Sequence, residues 1–301
     1  MNYKKASSIG EALAMLNETD NALILAGGTD VMADLNRAPS PDKTVIYIGD
    51  IEELKIIRET VDGIHIGSLV PAAEIAESEI VGKYAAALRD AAGESAGPQV
   101  RNRATIGGNI ATASPAGDMI CALFALDAAV AVAHSDRESG APAEGAVRTE
   151  IRKISELITG ARQTALKANE IITEIIIPKA PGASGSAFLK MGKRKAMSIS
   201  IVNAACAVTL GQENRIDAIR IALGSVAPTV VRAETVENEL AGKPADKDLI
   251  AEITKLAAGA IDPITDQRAP GWYRREIVPV LAARAVMAAV CDAGGMQESV
   301  G

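Results

Sequence analysis

The sequence predicts an α+β fold in two parts, and three observations carry that expectation. Over residues 1–177, short apolar runs alternate with helical patterns. The stretch Pro178-Lys-Ala-Pro-Gly-Ala-Ser-Gly185 then breaks the pattern with prolines, glycines and small residues, as a domain boundary does. Beyond it, over 184–292, strands come first and helices follow, the order of a layered α+β unit. The first part divides again, with subdomains expected at about 1–55 and 56–177.

Each element has its own signal. Ser8 and Glu11 have the spacing of a capping box, ahead of Ile9, Ala12, Leu13 and Leu16 at helical spacing. Ala22 to Leu25 is a short apolar strand, and Val31 to Leu35 reads as a helix opened by Thr29 or Asp30. Thr44 to Ile48 is β-branched and reads as a strand. Ile56-Ile57 and Ile64-His-Ile66, split by Asp62-Gly63, read as a hairpin. Pro71 to Ala76 begins a helix at a proline, and a longer helix runs from about Ile80 to Ala92. Gly93 to Arg103 is irregular, and Thr105 to Asp118 shows little periodicity of either kind. Met119 to Ala128 is helical and Ala129 to Ala133 a strand; Ser135 to Gly145, rich in Ser, Gly, Pro and charge, is a surface loop. Val147 to Ile151 and Glu170 to Ile177 are further strands. Past the boundary, Ser186 to Met191, Ser200 to Leu210 and Ile216 to Leu223 predict a three-stranded sheet, with Gln212-Glu-Asn-Arg215 as a hairpin turn. Helices follow over Arg232 to Leu240, Asp246 to Ala260 and Arg274 to Ala289, and the tail after Gly294 is small and polar. No repeat of solenoid period is present.

Composition narrows the function. The chain is 48% hydrophobic but only 2% aromatic, so its core must be Ala, Val, Ile and Leu. A net charge of −7 argues against nucleic acid, whose phosphates need basic patches. Cys121, Cys206 and Cys291 sit far apart inside apolar runs, which reads as buried thiols of a reducing compartment rather than a disulfide framework or metal cage. His65 and His134 are isolated, unlike the clustered ligands of zinc-type sites. Met1-Asn-Tyr-Lys does not resemble a signal peptide and no apolar run reaches membrane-spanning length, so a cytoplasmic protein without membrane insertion is expected.

Two loops stand out. Leu25-Ala-Gly-Gly-Thr-Asp30 follows a strand and precedes a helix, a layout for holding phosphate; it lacks the Gly-Lys-Ser/Thr of a P-loop and the G-x-G-x-x-G spacing of a Rossmann turn. Thr105-Ile-Gly-Gly-Asn109 runs on through Thr112 and Ser114 to Asp118. Paired glycines let a backbone approach a ligand closely, so that several N–H groups converge on one anion. Asn109, Thr112 and Ser114 can hydrogen-bond a polyhydroxylated chain, and Asp118 can accept from a hydroxyl. Each loop alone can equally be a tight turn that needs glycine for geometry; the two together favour one ligand held between them.

These residues resemble the FAD-binding subunit of the molybdenum hydroxylases, a family that includes xanthine, carbon monoxide and nicotinate dehydrogenases. The resemblance extends over Ser95-Ala-Gly-Pro-Gln-Val-Arg-Asn-Arg-Ala104, Phe188-Leu-Lys190, Lys193-Arg194, and Asp262-Pro-Ile with Tyr273-Arg-Arg275, and so over essentially the whole chain. It implies a two-subdomain FAD-binding domain of the vanillyl-alcohol-oxidase type followed by a smaller α+β domain. It implies that Leu23, Ile24, Leu25, Ala26, Gly27, Gly28, Thr29 and Asp30, with Thr105, Ile106, Gly107, Gly108 and Asn109, hold the FAD diphosphate from either side. Asp118 falls at a polar contact on the phosphate–ribityl side, and Ile172 in a strand against the cofactor. Lys190 matches a lysine near the pyrimidine edge of the ring, where positive charge favours reduced flavin, and Phe188 an aromatic that can face it. From the residues alone, Lys190 can also be a solvated strand residue, Phe188 core, and Arg101, Arg103, Lys193 and Arg194 either phosphate clamps or partners of surface carboxylates. Some relatives stack an aromatic on the flavin where this chain has Ser95, and no cysteine cluster for an extra iron–sulfur centre exists.

The implied activity is that of an electron-exit module. A molybdopterin-binding large subunit hydroxylates substrate, a small [2Fe–2S] subunit passes electrons on, and this chain hands them from FAD to NAD(P) or another acceptor. The competing expectations are a self-contained flavin reductase or oxidase of the same superfamily and a non-enzymatic nucleotide-binding scaffold.

Overall fold

A computed structural model of the chain describes residues 1–135 and 147–295. The expected surface loop, Ser135 aside, and the tail from 296 on lie outside the described residues.

The first layer consists of β1 (Asn2–Lys5), α1 (Ile9–Asn17), β2 (Ala22–Leu25), α2 (Val31–Arg37) and β3 (Thr44–Tyr47). The strands form a parallel sheet in the order β1-β3-β2. Ser8 caps α1 by accepting from the Glu11 amide at 3.2 Å, while the Glu11 carboxylate reaches Ser7 rather than Ser8. Leu13 and Leu16 of α1 pack with Ile46, Ile48, Ile51 and Leu54, and this core extends to Ala133 and Ile171 of the second layer.

That second layer runs through β4 (Ile57–Glu59), β5 (Gly63–Gly67), α3 (Ala72–Glu77), α4 (Glu79–Tyr84), α5 (Ala86–Glu94), α6 (Pro98–Arg101), α7 (Ile106–Thr112), α8 (Asp118–Ala125), β6 (Ala129–Ser135), β7 (Val147–Lys153), α9 (Ile154–Leu157), β8 (Ile158–Gly160), β9 (Gln163–Thr164) and β10 (Glu170–Pro178). Its five-stranded sheet, in the order β4-β5-β10-β6-β7, is antiparallel throughout. The expected helix from Ile80 to Ala92 is two helices, because Ala85 leaves the helical region at φ −147° and ψ 54°. The segment Gly93 to Arg103, expected to be irregular, contains the single turn α6 with Pro98 in its first turn.

The last layer is β11 (Ala183–Met191), β12 (Val202–Leu210), β13 (Ile216–Gly224), β14 (Val231–Arg232), α10 (Glu234–Leu240), α11 (Lys247–Ile253) and α12 (Gly271–Asp292). The sheet is antiparallel in that order, the two-residue β14 adding a fourth strand to the three expected. Alternation along β11 and β12 divides their side chains between two cores. Phe188 and Ala205 face α5 and α8 of the second layer, whereas Ala187, Ala204 and Cys206 pack under α12 with Val278, Ala282 and Val286.

Candidate functional site

The chain leaves β2 at Leu25 and turns through Ala26–Asp30 into α2. Gly28 has φ +80°, a left-handed conformation that a side chain resists. Gly27 is required for a different reason: a Cβ there would run into the carbonyl of Arg103. The first glycine loop is thus pressed onto the chain that leads into the second.

The second loop is not continuous irregular backbone, as expected from its sequence, but contains α7. Thr105 caps that helix, its Oγ1 accepting from the Gly108 amide at 3.1 Å. The Ile106 and Gly107 amides donate to the carbonyls of Val70 and Ser68 at 3.1 and 2.9 Å, and the Asn109 amide to Thr105 O at 2.9 Å. A Cβ on Gly107 would meet the Ser68 Cβ at 2.6 Å, so this glycine lets α7 pack against the turn that follows β5. Tertiary hydrogen bonds here override the low helix propensity of a glycine pair. The loops touch directly: Thr112 Oγ1 donates to Asp30 Oδ2 at 3.1 Å.

Between them lies a cleft of about 490 Å³, within the size range of ligand sites. Ile24, Ile48, Leu69, Ile171 and Ile172 give it apolar walls. Of the residues expected at a cofactor, Leu23, Ile24, Ala26, Gly27, Gly28, Thr29, Asp30, Thr105, Gly107, Gly108, Asn109, Thr112 and Ile172 line it. Leu25, Ile106 and Ser114 do not. Ile106 is wholly buried in the core, and Ser114 Oγ accepts from the Ala116 amide at 3.3 Å in its own turn.

The polar inventory of the cleft is asymmetric. The amides of Gly108, Gly107 and Asn109 are consumed by the fold, whereas those of Gly27, Gly28, Thr29 and Asp30 donate to nothing among the described residues. Its cations, Arg162 and Lys167, are exposed and only loosely paired, 3.5 Å from Asp34 and 3.8 Å from Glu170. Glu170 is in addition gripped by Arg152 at 2.7 and 2.8 Å, which holds its carboxyl below the usual carboxylate range against the opposing effect of burial. Negative charge entering this cleft would meet the unpaired backbone dipoles of Gly27–Asp30. Two buried polar atoms on its wall, Asn109 Oδ1 and Ser68 Oγ, have no hydrogen-bond partner among the described residues. Ser68, Asp34, Arg162, Lys167 and Glu170 carry no motif and were not expected from sequence.

Asp118, Phe188 and Lys190 lie outside the lining of the cleft. Phe188 is 2% exposed, a core residue with almost no ring surface left to face a ligand. Two positions along β11, Lys190 reaches Asp118 Oδ2 at 2.9 Å and the carbonyls of Glu94 and Ser198 at 2.7 and 3.2 Å. Asp118 Oδ1 accepts from Ser200 Oγ at 2.6 Å and Asn203 Nδ2 at 2.9 Å. With side chains 6% and 8% exposed, Lys190 and Asp118 form a buried, hydrogen-bonded ion pair joining the second and third layers, so Lys190 is no solvated strand residue. Arg101, Lys193 and Arg194 lie outside the lining of the cleft and pair with no carboxylate among the described residues; they donate to backbone carbonyls of Ser95 and Ala96, Gln267, and Met197.

The described residues hold no cluster of His, Cys, Asp and Glu fit for a metal, and no helix among them is long and apolar enough to cross a membrane. Burial pushes the Cys121 and Cys206 thiols far up, which suits packing and not catalysis.

Residues 1–180 match the model of the FAD binding domain in molybdopterin dehydrogenase, and residues 187–289 that of the CO dehydrogenase flavoprotein C-terminal domain. The glyceraldehyde dehydrogenase medium chain of Sulfolobus acidocaldarius is 32% identical over 94% of this chain and 96% of its own. The xanthine dehydrogenase FAD-binding subunit of Escherichia coli O157:H7 is 30% identical over 97% of each. In structure, a chain of the carbon monoxide dehydrogenase of Hydrogenophaga pseudoflava, in a form lacking the Mo-pyranopterin moiety, superposes with a TM-score of 0.87 at 29% identity, covering 97% of this chain and 98% of that one.

Proposed function

We propose that this chain, which belongs to the family of FAD-binding medium subunits of the molybdopterin dehydrogenases, is the electron-exit subunit of its complex. As an FAD-binding oxidoreductase subunit of molybdenum-hydroxylase type, its task is to hold one flavin and carry electrons through it. In this reading they come from [2Fe–2S] clusters of a small partner subunit, beyond which a large subunit binds molybdopterin. They leave for NAD(P) or another acceptor.

The observation that carries the proposal is the cleft between the two glycine loops. Its unpaired amides, orphaned polar atoms and apolar walls suit a molecule with an anionic centre and flat apolar ends. The Gly27–Asp30 amides are assigned to the diphosphate, where backbone dipoles neutralise charge without a cation. Thr105, Gly107, Gly108 and Asn109 form another part of the wall, and the Asn109 amide oxygen, buried and without a partner among the described residues, can accept only from a donor that reaches it. Leu23, Ile24 and Ile172 exclude water along the apolar length. The flavin, when bound, accepts electrons singly and releases them singly or as a pair. Lys190 is assigned a supporting part: already bound to Asp118, its ammonium exerts a weaker pull on reduced flavin than a free lysine would.

Purifying the chain within its complex and assaying metals and flavin tests this reading. Molybdenum, iron and one FAD per copy of this chain are expected, with dye or NAD(P) reduction by the complex and no hydroxylation by this chain alone. A colourless chain that takes up no FAD would overturn it.

A further inference from the structure

Ser68 is a residue of the cleft wall whose hydroxyl bonds to nothing among the described residues. Its backbone is fully engaged, the amide donating to Thr173 O at 3.0 Å and the carbonyl accepting from the Gly107 amide at 2.9 Å. It is clamped between two glycines that have no room for a side chain: a Cβ on Gly67 would strike the Leu54 carbonyl, and one on Gly107 would strike Ser68 itself. The residue is 3% exposed, its Oγ is buried, and that hydroxyl has no partner among the described residues. Burying an unsatisfied hydroxyl is unfavourable, and with the backbone fixed, rotation about χ1 is what can bring it to a partner in the cleft. An alanine would fill the same space without the penalty, so the chain retains a hydroxyl that destabilises it in the absence of a ligand.

We propose that Ser68 is a ligand-binding residue whose hydroxyl donates its proton to an anionic oxygen of a diphosphate held in the cleft that Gly27–Asp30 also line. This inference rests on the assignment of FAD to the cleft. The chemistry fits because a serine hydroxyl can always present a hydrogen to an acceptor-only group, and a charged acceptor makes that bond about twice as strong as a neutral one.

The test compares wild type and Ser68→Ala, each stripped of flavin, by titration with FAD, ADP and riboflavin and by thermal melting of the ligand-free proteins. Losing one charge-assisted hydrogen bond is expected to weaken FAD and ADP alike, by about tenfold to a hundredfold. Riboflavin, which has no phosphate, should bind both proteins equally, and ligand-free S68A should melt no lower than wild type. Unchanged FAD and ADP affinity in S68A would overturn the role of Ser68 while leaving FAD in the cleft. A lower melting temperature of ligand-free S68A would mark Ser68 as a packing residue and overturn the proposal too. Failure of wild type to bind FAD or ADP would overturn the cleft assignment itself and this inference with it.

Discussion

Replacing Lys190 by methionine should loosen the whole molecule more than it alters the cleft. The ammonium bonds the Asp118 carboxylate and the carbonyls of Glu94 and Ser198, and both members of the pair are nearly sealed from water. Methionine fills a similar volume but leaves Asp118 as a buried carboxylate with only the neutral donors Ser200 and Asn203. Breaking a buried pair from one side costs about 3–5 kcal/mol. With an unfolding entropy of about 2.1 cal/mol/K per residue, a chain of this length loses about 6 °C of Tm for ~4 kcal/mol. The assay is thermal unfolding of K190M, Asp118→Asn and the double variant. The double variant should recover part of the summed loss, because the second substitution removes the charge that the first stranded. K190M melting within about 1 °C of wild type, or losses that simply add, would refute the reasoning.

Other expectations concern the loops, a titrating pair and the thiols. Gly28→Ala should lower FAD affinity severalfold, since a side chain at φ +80° costs about 1–2 kcal/mol; Gly27→Ala should abolish FAD retention on gel filtration, since its Cβ has no space beside the Arg103 carbonyl. Glu170 has its folded-state carboxyl lowered by Arg152, so its contribution to stability is present above the unfolded pKa and lost as pH falls through the folded one. Glu170→Gln should therefore destabilise the protein at pH 7 and flatten the acid side of a stability-versus-pH curve below about pH 4.5, the ordinary glutamate value. Cys121 and Cys206, buried with raised thiols, should stay unmodified by a thiol reagent at pH 8 until the chain is unfolded.

The parts of this molecule written in local chemistry were legible beforehand. The capped first helix, the hairpin at Asp62-Gly63, the strands of the C-terminal sheet and both glycine pairs follow from spacing and turn residues. What escaped depends on contacts distant in sequence. Asn2–Lys5 has no apolar alternation and is a strand only because β3 accepts it as a parallel neighbour. Helix α7 forms around a glycine pair because Ser68 and Val70 accept its first amides. The difference in role between the two loops was likewise invisible: both read as glycine pairs, but one spends its amides on the fold and the other leaves them free. Phe188 matched a motif position, yet the pleat of β11 turns its ring into the core. Ser68 had no signal beyond a hydroxyl between two apolar stretches, and only burial without a partner singles it out.

The claim that the Gly27–Asp30 turn and the α7 wall close on one dinucleotide is tested most directly by calorimetric titration of the flavin-stripped chain with FAD and with riboflavin. The account predicts one FAD bound per chain and riboflavin bound at least about a hundredfold more weakly, because the amides at the diphosphate supply the anchoring interactions. Riboflavin binding as tightly as FAD, or no flavin binding at all, would contradict it.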